Sequence, residues 1–526
     1  MNNIYLLDCT LRDGGCVNDF NFGSTYMSQI LDGVEQSGVE IIECGYIDEN
    51  KGSVSERTQY KNEQVITDVL LKDKSKDKKY VAMIDYGKFD VNNLQNRTES
   101  SIDGIRLAFH KKDRERMIEW GKIILSKGYE LYIQPMLVMR YKDSELIDFI
   151  KQVNEQLPEA SAFYIVDSFG EMRTNDLNRV AYLVDNNLID GMTIGFHSHN
   201  NLQLSYSNAI SLLDFKTNRD KIFDVSIMGM GKGAGNLNAE IFAEHLNLYH
   251  GKKYNIPAML YVIDNVLNQI KEDFYWGYSI EYYLSAVNHC TPSYAGYFYK
   301  KHTLTVDQVA ELLGMIEEDK KISFDKEYAQ KLYYAFNCKN YNDEKDMAAL
   351  TKKLSGKNIL VIAPGKSISR NTDVIQSVKE EKNCVTIALN HFDEGKDDYI
   401  YATKQYIYDQ VGVSGNKLIV TSNVDTVKED DLYVLNYARF NESREEQSDI
   451  SLISLLNFLK SINVSDIYLA GCDGFKSEMD ENYYDYNLNR PIDKQIAEER
   501  NEIICEYIRA YRKEKNVKFI TPSLYD

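Results

Sequence analysis

The sequence predicts an α/β protein: an N-terminal TIM (β/α)8 barrel, a helical extension and a C-terminal Rossmann-like α/β domain. Three observations predict it. Eight short apolar runs alternate with amphipathic stretches before residue 250. Helical periodicity with dense aromatic residues then continues to about residue 350. Beyond residue 355 the short apolar runs return, again separated by helical pattern.

The expected barrel strands are Ile4–Asp8, Glu40–Cys44, Tyr80–Asp85, Ile102–Ala108, Leu131–Pro135, Ala162–Val166, Met192–Phe196 and Phe223–Ser226. Ser28–Gln36 and Arg114–Leu125 carry apolar residues at helical spacing between them. Eight such units by residue 250 fit a closed barrel better than an open sheet. In the extension, 251–350, helices are expected at Ala258–Lys271 and Val306–Ile316. Its aromatic cluster of Tyr294, Tyr297, Phe298 and Tyr299 reads as helix packing, against the barrel or a second subunit. A homo-oligomer joined through 251–350 is therefore expected.

The segment 340–356 is polar, as linkers tend to be. After it, strands are expected at Ile359–Ile362, Val385–Leu389, Leu418–Thr421, Tyr433–Leu435, Ile467–Ala470 and Lys518–Ile520. Ser451–Ser461 and Lys494–Lys513 fit helices between them. The expected domains are thus 1–250, 251–350 and 355–526.

Composition narrows the function classes. A hydrophobic fraction of 43% and a charged fraction of 27% are those of a soluble globular chain. There is no apolar run of about 18 residues, so no membrane span is expected. The start, MNNIYLLDCT, lacks the basic and apolar regions of a secretory signal. Eight cysteines without paired spacing point to reduced thiols in the cytoplasm. A net charge of −19 argues against a nucleic-acid surface.

Barrels place their chemistry at the carboxyl ends of the strands. The first strand runs into Asp8-Cys9-Thr10-Leu11-Arg12-Asp13-Gly14-Gly15, a cation beside a carboxylate before two glycines. The seventh ends in Gly195-Phe196-His197-Ser198-His199-Asn200. Residues two apart in an extended segment face the same way, so His197 and His199 project together. With Asp13 they suit a borderline divalent ion such as Mn²⁺, Fe²⁺, Co²⁺ or Zn²⁺. After the eighth strand, Gly229-Met230-Gly231-Lys232-Gly233-Ala234-Gly235-Asn236 reads as a phosphate cradle, or as backbone brought close to the metal with Asn236.

DCTLRDGG, GFHSHNN and GMGKGAGN, in this order, resemble the metal-dependent lyase superfamily of hydroxymethylglutaryl-CoA lyase, isopropylmalate synthase and 4-hydroxy-2-oxovalerate aldolase. The resemblance covers residues 1–250 and extends weakly through Tyr294-Ala295-Gly296. It implies that Asp13, His197 and His199 ligate a divalent ion, Mn²⁺ ahead of Co²⁺, Mg²⁺ or Zn²⁺, with Asn236 as a further ligand. It implies that Arg12 stabilises the enolate of a 2-oxo acid, with an aldehyde as second substrate. Tyr294 becomes a candidate for proton handling, and Glu43 for a place beside the active site. Arg106, Gln134 and Asp167 are cleft candidates, with barrel packing or an ion pair as the alternative.

One departure matters: the hydroxyoxovalerate aldolases carry their general-base histidine where this chain has Cys16. A thiol serves as base only if its pKa is depressed. Asn18, Asp19 or a metal-bound hydroxide are the other candidates. The resemblance implies an aldolase that cleaves or forms a 4-hydroxy-2-oxo acid; its two rivals are a Claisen-type acyl-CoA acyltransferase and an inactive metal-binding scaffold fused to a nucleotide-binding domain.

In the C-terminal domain, Val361-Ile362-Ala363-Pro364-Gly365-Lys366-Ser367 and Ile467-Tyr468-Leu469-Ala470-Gly471-Cys472-Asp473-Gly474 each place a glycine turn after a strand. With Ala388-Leu389-Asn390 they weakly resemble sialyltransferase-like folds. That resemblance implies a nucleotide or nucleotide sugar as ligand, and a role in making a sugar acid for a surface polysaccharide.

Overall fold

The computed structural model describes residues 2–50, 56–301, 303–339, 341–391, 397–411, 417–427, 431–441, 450–477, 482–485, 492 and 494–526. The chain forms two compact units, Met1–Pro292 and Ser293–Asp526. The expected helical extension divides between them.

In the first unit, eight parallel strands close on themselves: β1 (Ile4–Asp8), β2 (Ile41–Ile47), β3 (Lys79–Asp85), β4 (Gly104–Phe109), β5 (Glu130–Pro135), β6 (Ala162–Asp167), β7 (Thr193–Ser198) and β8 (Lys221–Val225). β1 pairs with both β8 and β2, which closes the barrel. A two-residue strand, Gln59–Tyr60, adds to the end of β2.

The side chains of each strand alternate between two apolar layers. Leu7, Ile41, Val81, Tyr132, Tyr164 and Ile222 fill the interior. Leu6, Ile42, Ile105, Ile133, Phe163 and Phe223 pack outward under the helices. Such strands are buried on both faces, which is why they read as continuous apolar runs. Two glycines make room for the interior tyrosines. A Cβ at Gly195 would sit 2.4 Å from the Tyr164 ring, and one at Gly104 would sit 2.8 Å from that of Tyr132. Tyr164 in turn supports the Arg106 guanidinium, 4.9 Å above its ring.

The second unit holds an open sheet of seven parallel strands: β9 (Ile359–Ile362), β10 (Val385–Leu389), β11 (Tyr399–Ala402), β12 (Leu418–Thr421), β13 (Leu432–Leu435), β14 (Ile467–Ala470) and β15 (Val517–Phe519). Their order is β13-β12-β11-β10-β9-β14-β15. Alternate side chains meet separate clusters on the two faces. Val361, Ile387 and Leu469 pack with Leu455 and Ile508, whereas Leu360 and Tyr468 pack with Ile375 and Val378.

Two features differ from the sequence expectation. β11, a four-residue strand, was not anticipated; its run Tyr-Ile-Tyr-Ala is short and directly follows acidic residues. The polar segment expected as a linker contains the helix Glu344–Leu354. Leu350 and Leu354, one turn apart, are fully buried in the sheet's core, and its polar residues cover the other side. Asp343 and Asp346 accept the backbone N–H groups of Asn436 and Val434. Among the described residues no helix is long and apolar enough to cross a membrane.

Candidate metal centre

The loop after β1 is a tight turn in which the Arg12 and Asp13 amides both donate to Cys9 O, at 3.1 and 2.8 Å. Asp13 and Arg12 are thereby fixed at the carboxyl end of the barrel. β7 supplies His197, and His199 follows just past the strand, in an antiparallel bridge with Asn236. The two imidazoles meet edge to face, centroids 5.1 Å apart. Donor atoms of Asp13, His197 and His199 all lie within 4.8 Å of one another, and all three residues are buried.

Several polar atoms here are buried without a hydrogen-bond partner among the described residues: His199 Nδ1, Asn236 Oδ1 and Arg12 Nη2. Native interiors rarely tolerate such atoms unless a ligand or water takes them up. Burial holds His199 down to about 4, so at neutral pH one of its ring nitrogens keeps a lone pair for a ligand. Asp13 is held well below the usual carboxylate range: burial acts to raise it, but Arg12 and the two histidines prevail. Two imidazoles, a carboxylate and an amide oxygen therefore fit a divalent ion.

The glycine-rich loop serves this cluster by close approach. A Cβ at Gly231 would lie 2.3 Å from Asn236 Nδ2 and 2.7 Å from Asp13 Oδ2. Gly235, at φ +86°, would place a Cβ 2.0 Å from Gly229 O. Only backbone without side chains turns here.

A buried ionic network links these candidate ligands. Arg12 Nη1 donates to Asp13 Oδ1 at 2.7 Å, and Arg12 Nε to Glu43 Oε2 at 2.8 Å. The same Glu43 oxygen accepts from Arg106 Nη1 at 2.6 Å. Arg106 Nη2 donates to Asp224 Oδ2, which lies 2.9 Å from His197 Nδ1. Gln134, with its carbonyl turned toward Arg106, accepts from Nε and Nη2 at 3.3 and 3.1 Å. The chain of charges thus runs from Asp13 to His197 through the barrel interior.

Residues 3–264 match the family described as HMGL-like. They form an HMGL-like domain. This HMGL-like domain is similar to the 4-hydroxy-2-oxovalerate aldolase of Pseudoalteromonas translucida strain TAC 125, 26% identical over 246 residues, 46% of this chain and 70% of that one. It is likewise similar to the 4-hydroxy-2-oxovalerate aldolase of Geobacillus genomosp. 3, 27% identical with 46% and 70% covered. Among solved structures, the N-terminal domain of a Bacteroides vulgatus protein designated an aldolase aligns at TM-score 0.47 and 25% identity. That match covers 56% of this chain and 96% of that one.

The other expected residues fall into two groups. Glu43, Arg106, Gln134 and Asn236 join the network or the ligand set of the HMGL-like domain. Asp167 caps the loop after β6, accepting the amides of Glu171 and Met172 at 2.9 and 3.1 Å, and burial pushes it up to about 7. Asn18 Nδ2 donates to Asn21 O, and Asp19 pairs with Arg57. Tyr294 belongs to the second unit, where its hydroxyl accepts from the Asp325 amide at 3.2 Å and lies 3.4 Å from Ser323 O. Cys16 is at the surface of its loop; crowding by the surrounding chain and then the Asp13 carboxylate push its thiol up to about 12.

Three participants carried no motif: Asp224, Tyr46 and Asp85. A charge inside the apolar run Ile222-Phe223-Asp224-Val225 is the one signal that marks Asp224. Asp85 ends β3, hydrogen-bonded to Tyr46, and burial raises it from the usual carboxylate range despite Arg12 and His110 nearby.

Proposed function

We propose that the HMGL-like domain is a divalent-metal-dependent aldolase that cleaves or forms a 4-hydroxy-2-oxo acid, with pyruvate and an aldehyde on the other side. The observation that carries this is the buried cluster of Asp13, His197 and His199, beside which Arg12 Nη2, His199 Nδ1 and Asn236 Oδ1 have no hydrogen-bond partner among the described residues. Cleavage breaks the C3–C4 bond: the 4-hydroxyl loses its proton, the aldehyde carbonyl forms, and the bonding pair moves through C3 to the C2 oxygen; a proton then returns to C3 to give pyruvate.

Asp13, His197, His199 and Asn236 would hold a divalent ion, which would supply Lewis-acid polarisation to a bound 2-oxo acid. Arg12 offers Nη2 to the C2 oxygen as charge grows there. Its other nitrogens are already fixed by Glu43 and Asp13, so little reorganisation is needed. Asp224 accepts the His197 Nδ1 proton, which leaves Nε2 as the ligating atom. We assign the 4-hydroxyl proton to Asp85, which ends β3 at the carboxyl end of the barrel within the field of Arg12; the Cys16 thiol is pushed up and stays protonated.

Charge supports the same substrate class. Three carboxylates (Asp13, Glu43, Asp224) against two guanidiniums (Arg12, Arg106) leave the network one negative charge. A divalent cation and a monoanionic 2-oxo acid together bring it to neutrality.

The test is pyruvate release from 4-hydroxy-2-oxo acids of varied chain length, with Mn²⁺ and with excess chelator. Release with Mn²⁺ that the chelator abolishes is expected. Turnover that requires acetyl-CoA would replace the aldolase by an acyltransferase.

A further inference from the structure

The seven-stranded sheet of the second unit contains a point where its winding reverses. From β9 the chain steps outward through β10, β11, β12 and β13, then returns to place β14 on the other side of β9. In open parallel sheets ligands bind in a crevice outside the carboxyl ends of the strands beside such a point. This sheet has one. Its walls are the loops after β9, β10, β11 and β14, closed by the first turn of the helix Ser451–Ser461.

The crevice lining is not that of an ordinary apolar gap. Lys404 and Arg500 both line it, both are half-buried, and neither has an ion-pair partner among the described residues. In a chain of net charge −19, two unpaired cations in one cleft are a specific arrangement. The carboxylate that shares the cleft is already engaged: Asp473 Oδ2 accepts the Ser367 amide at 2.8 Å, and its other oxygen accepts the Ser367 hydroxyl. Ser451 and Leu452 open the 11-residue helix onto the same space, adding the positive end of its dipole. An aromatic ring lies beside each cation: Phe475 is 5.7 Å from the Arg500 guanidinium carbon, and Tyr406 is 6.0 Å from Lys404 Nζ.

The rim is built to hold this shape. Asn390, directly after β10, sits at φ +53°, where non-glycine residues are uncommon. Its side chain ties two walls together, donating to Ser451 Oγ at 2.6 Å and accepting the Thr403 amide at 3.3 Å. Gly365 and Gly471 let the loops after β9 and β14 meet backbone to backbone. A Cβ at Gly365 would lie 2.3 Å from Gly471 O.

We propose that this crevice is a second ligand site, independent of the metal centre, for an organic phosphate: one or two phosphoryl groups on a body with a flat or apolar face. Lys404, Arg500 and the start of the helix Ser451–Ser461 receive the phosphoryl oxygens, and Phe475 and Tyr406 contact the body.

The test titrates the full-length protein by calorimetry with UDP, CMP, glucose 6-phosphate and inorganic diphosphate at low and high salt. Lys404→Gln and Arg500→Gln are compared with wild type, and thermal melts check that both variants are folded. The proposal expects stoichiometric binding of a nucleotide or the sugar phosphate, tighter than diphosphate alone and weaker at high salt. It expects each substitution to weaken binding by about tenfold or more. Binding of the nucleotides but not the sugar phosphate would identify the body as a base. No binding by any of the organic phosphates, or binding unchanged in both folded variants, would overturn the proposal. Equal affinity for diphosphate would overturn its organic part.

Discussion

Arg12 commits two of its three guanidinium nitrogens to structure, Nε to Glu43 and Nη1 to Asp13, and leaves Nη2 buried without a partner among the described residues. On the proposed reading, that nitrogen meets the substrate. Arg12→Gln is expected to lower kcat by about 10²–10³ while changing KM far less, because the charge it meets develops in the transition state. Steady-state kinetics on a 4-hydroxy-2-oxo acid checks this; a change confined to KM would assign Arg12 to binding. The neighbouring acid–base residues separate in the same assay. Cys16, its thiol pushed up to about 12, has no proton-accepting role at neutral pH, so Cys16→Ser is expected to retain most activity. Asp85 must be ionised to accept a proton, and burial raises it. Activity should therefore fall as pH drops, at a point above the usual carboxylate range. Asp85→Asn should lower kcat and remove that acid limb. An unchanged pH profile in the variant would exclude Asp85 as the acceptor.

At the scale of elements, β4 and β8 matter as much as the motif-bearing β1 and β7. Arg106 on β4 and Asp224 on β8 connect Glu43 to His197, so the two strands orient ligands they do not supply. Asp224→Asn is expected to weaken divalent-metal affinity by about 10–100-fold. Competition with a chelating dye measures this, and unchanged affinity would reduce Asp224 to packing. Here the limits of sequence reading are physical. Asp13, His197 and His199 are legible because short spacings put them on one face of a turn or strand. Asn236 is legible because glycine runs mark close backbone approach. Asp224 sits singly inside an apolar run and Asp85 singly at the end of one, and only barrel closure brings Asp224 to Arg106 and His197. The interior glycines, Gly104 and Gly195, are invisible without the tyrosines facing them across strands. The helix Glu344–Leu354 reads as a linker because most of its face is polar; two leucines one turn apart are a weak signal.

Across the whole molecule, two units present their strand carboxyl ends to two kinds of chemistry. The first unit closes its sheet and uses interior charge to hold a ligand set. The second leaves its sheet open and reverses winding beside β9, where a crevice is lined by Lys404, Asp473 and Arg500. The strand count was legible for the barrel because most strands precede an amphipathic helix; β3 is the exception, with only the three-residue turn Val91–Asn93 before β4. The count fell one short in the second sheet, where four-residue strands approach the length of a turn. Overall acidity says little about either site, since each is a local balance of a few charges. Asp13, His197 and His199 nonetheless make a specific claim, that the first unit enolises a 2-oxo acid through a bound divalent ion. The most direct measurement is exchange of the methyl protons of pyruvate with deuterated water, followed by NMR with Mn²⁺ supplied and then chelated. It needs no knowledge of the aldehyde. Exchange that depends on the metal and disappears in Asp13→Asn is expected. Exchange that persists in Asp13→Asn, or none from the metal-loaded wild type, would contradict the account.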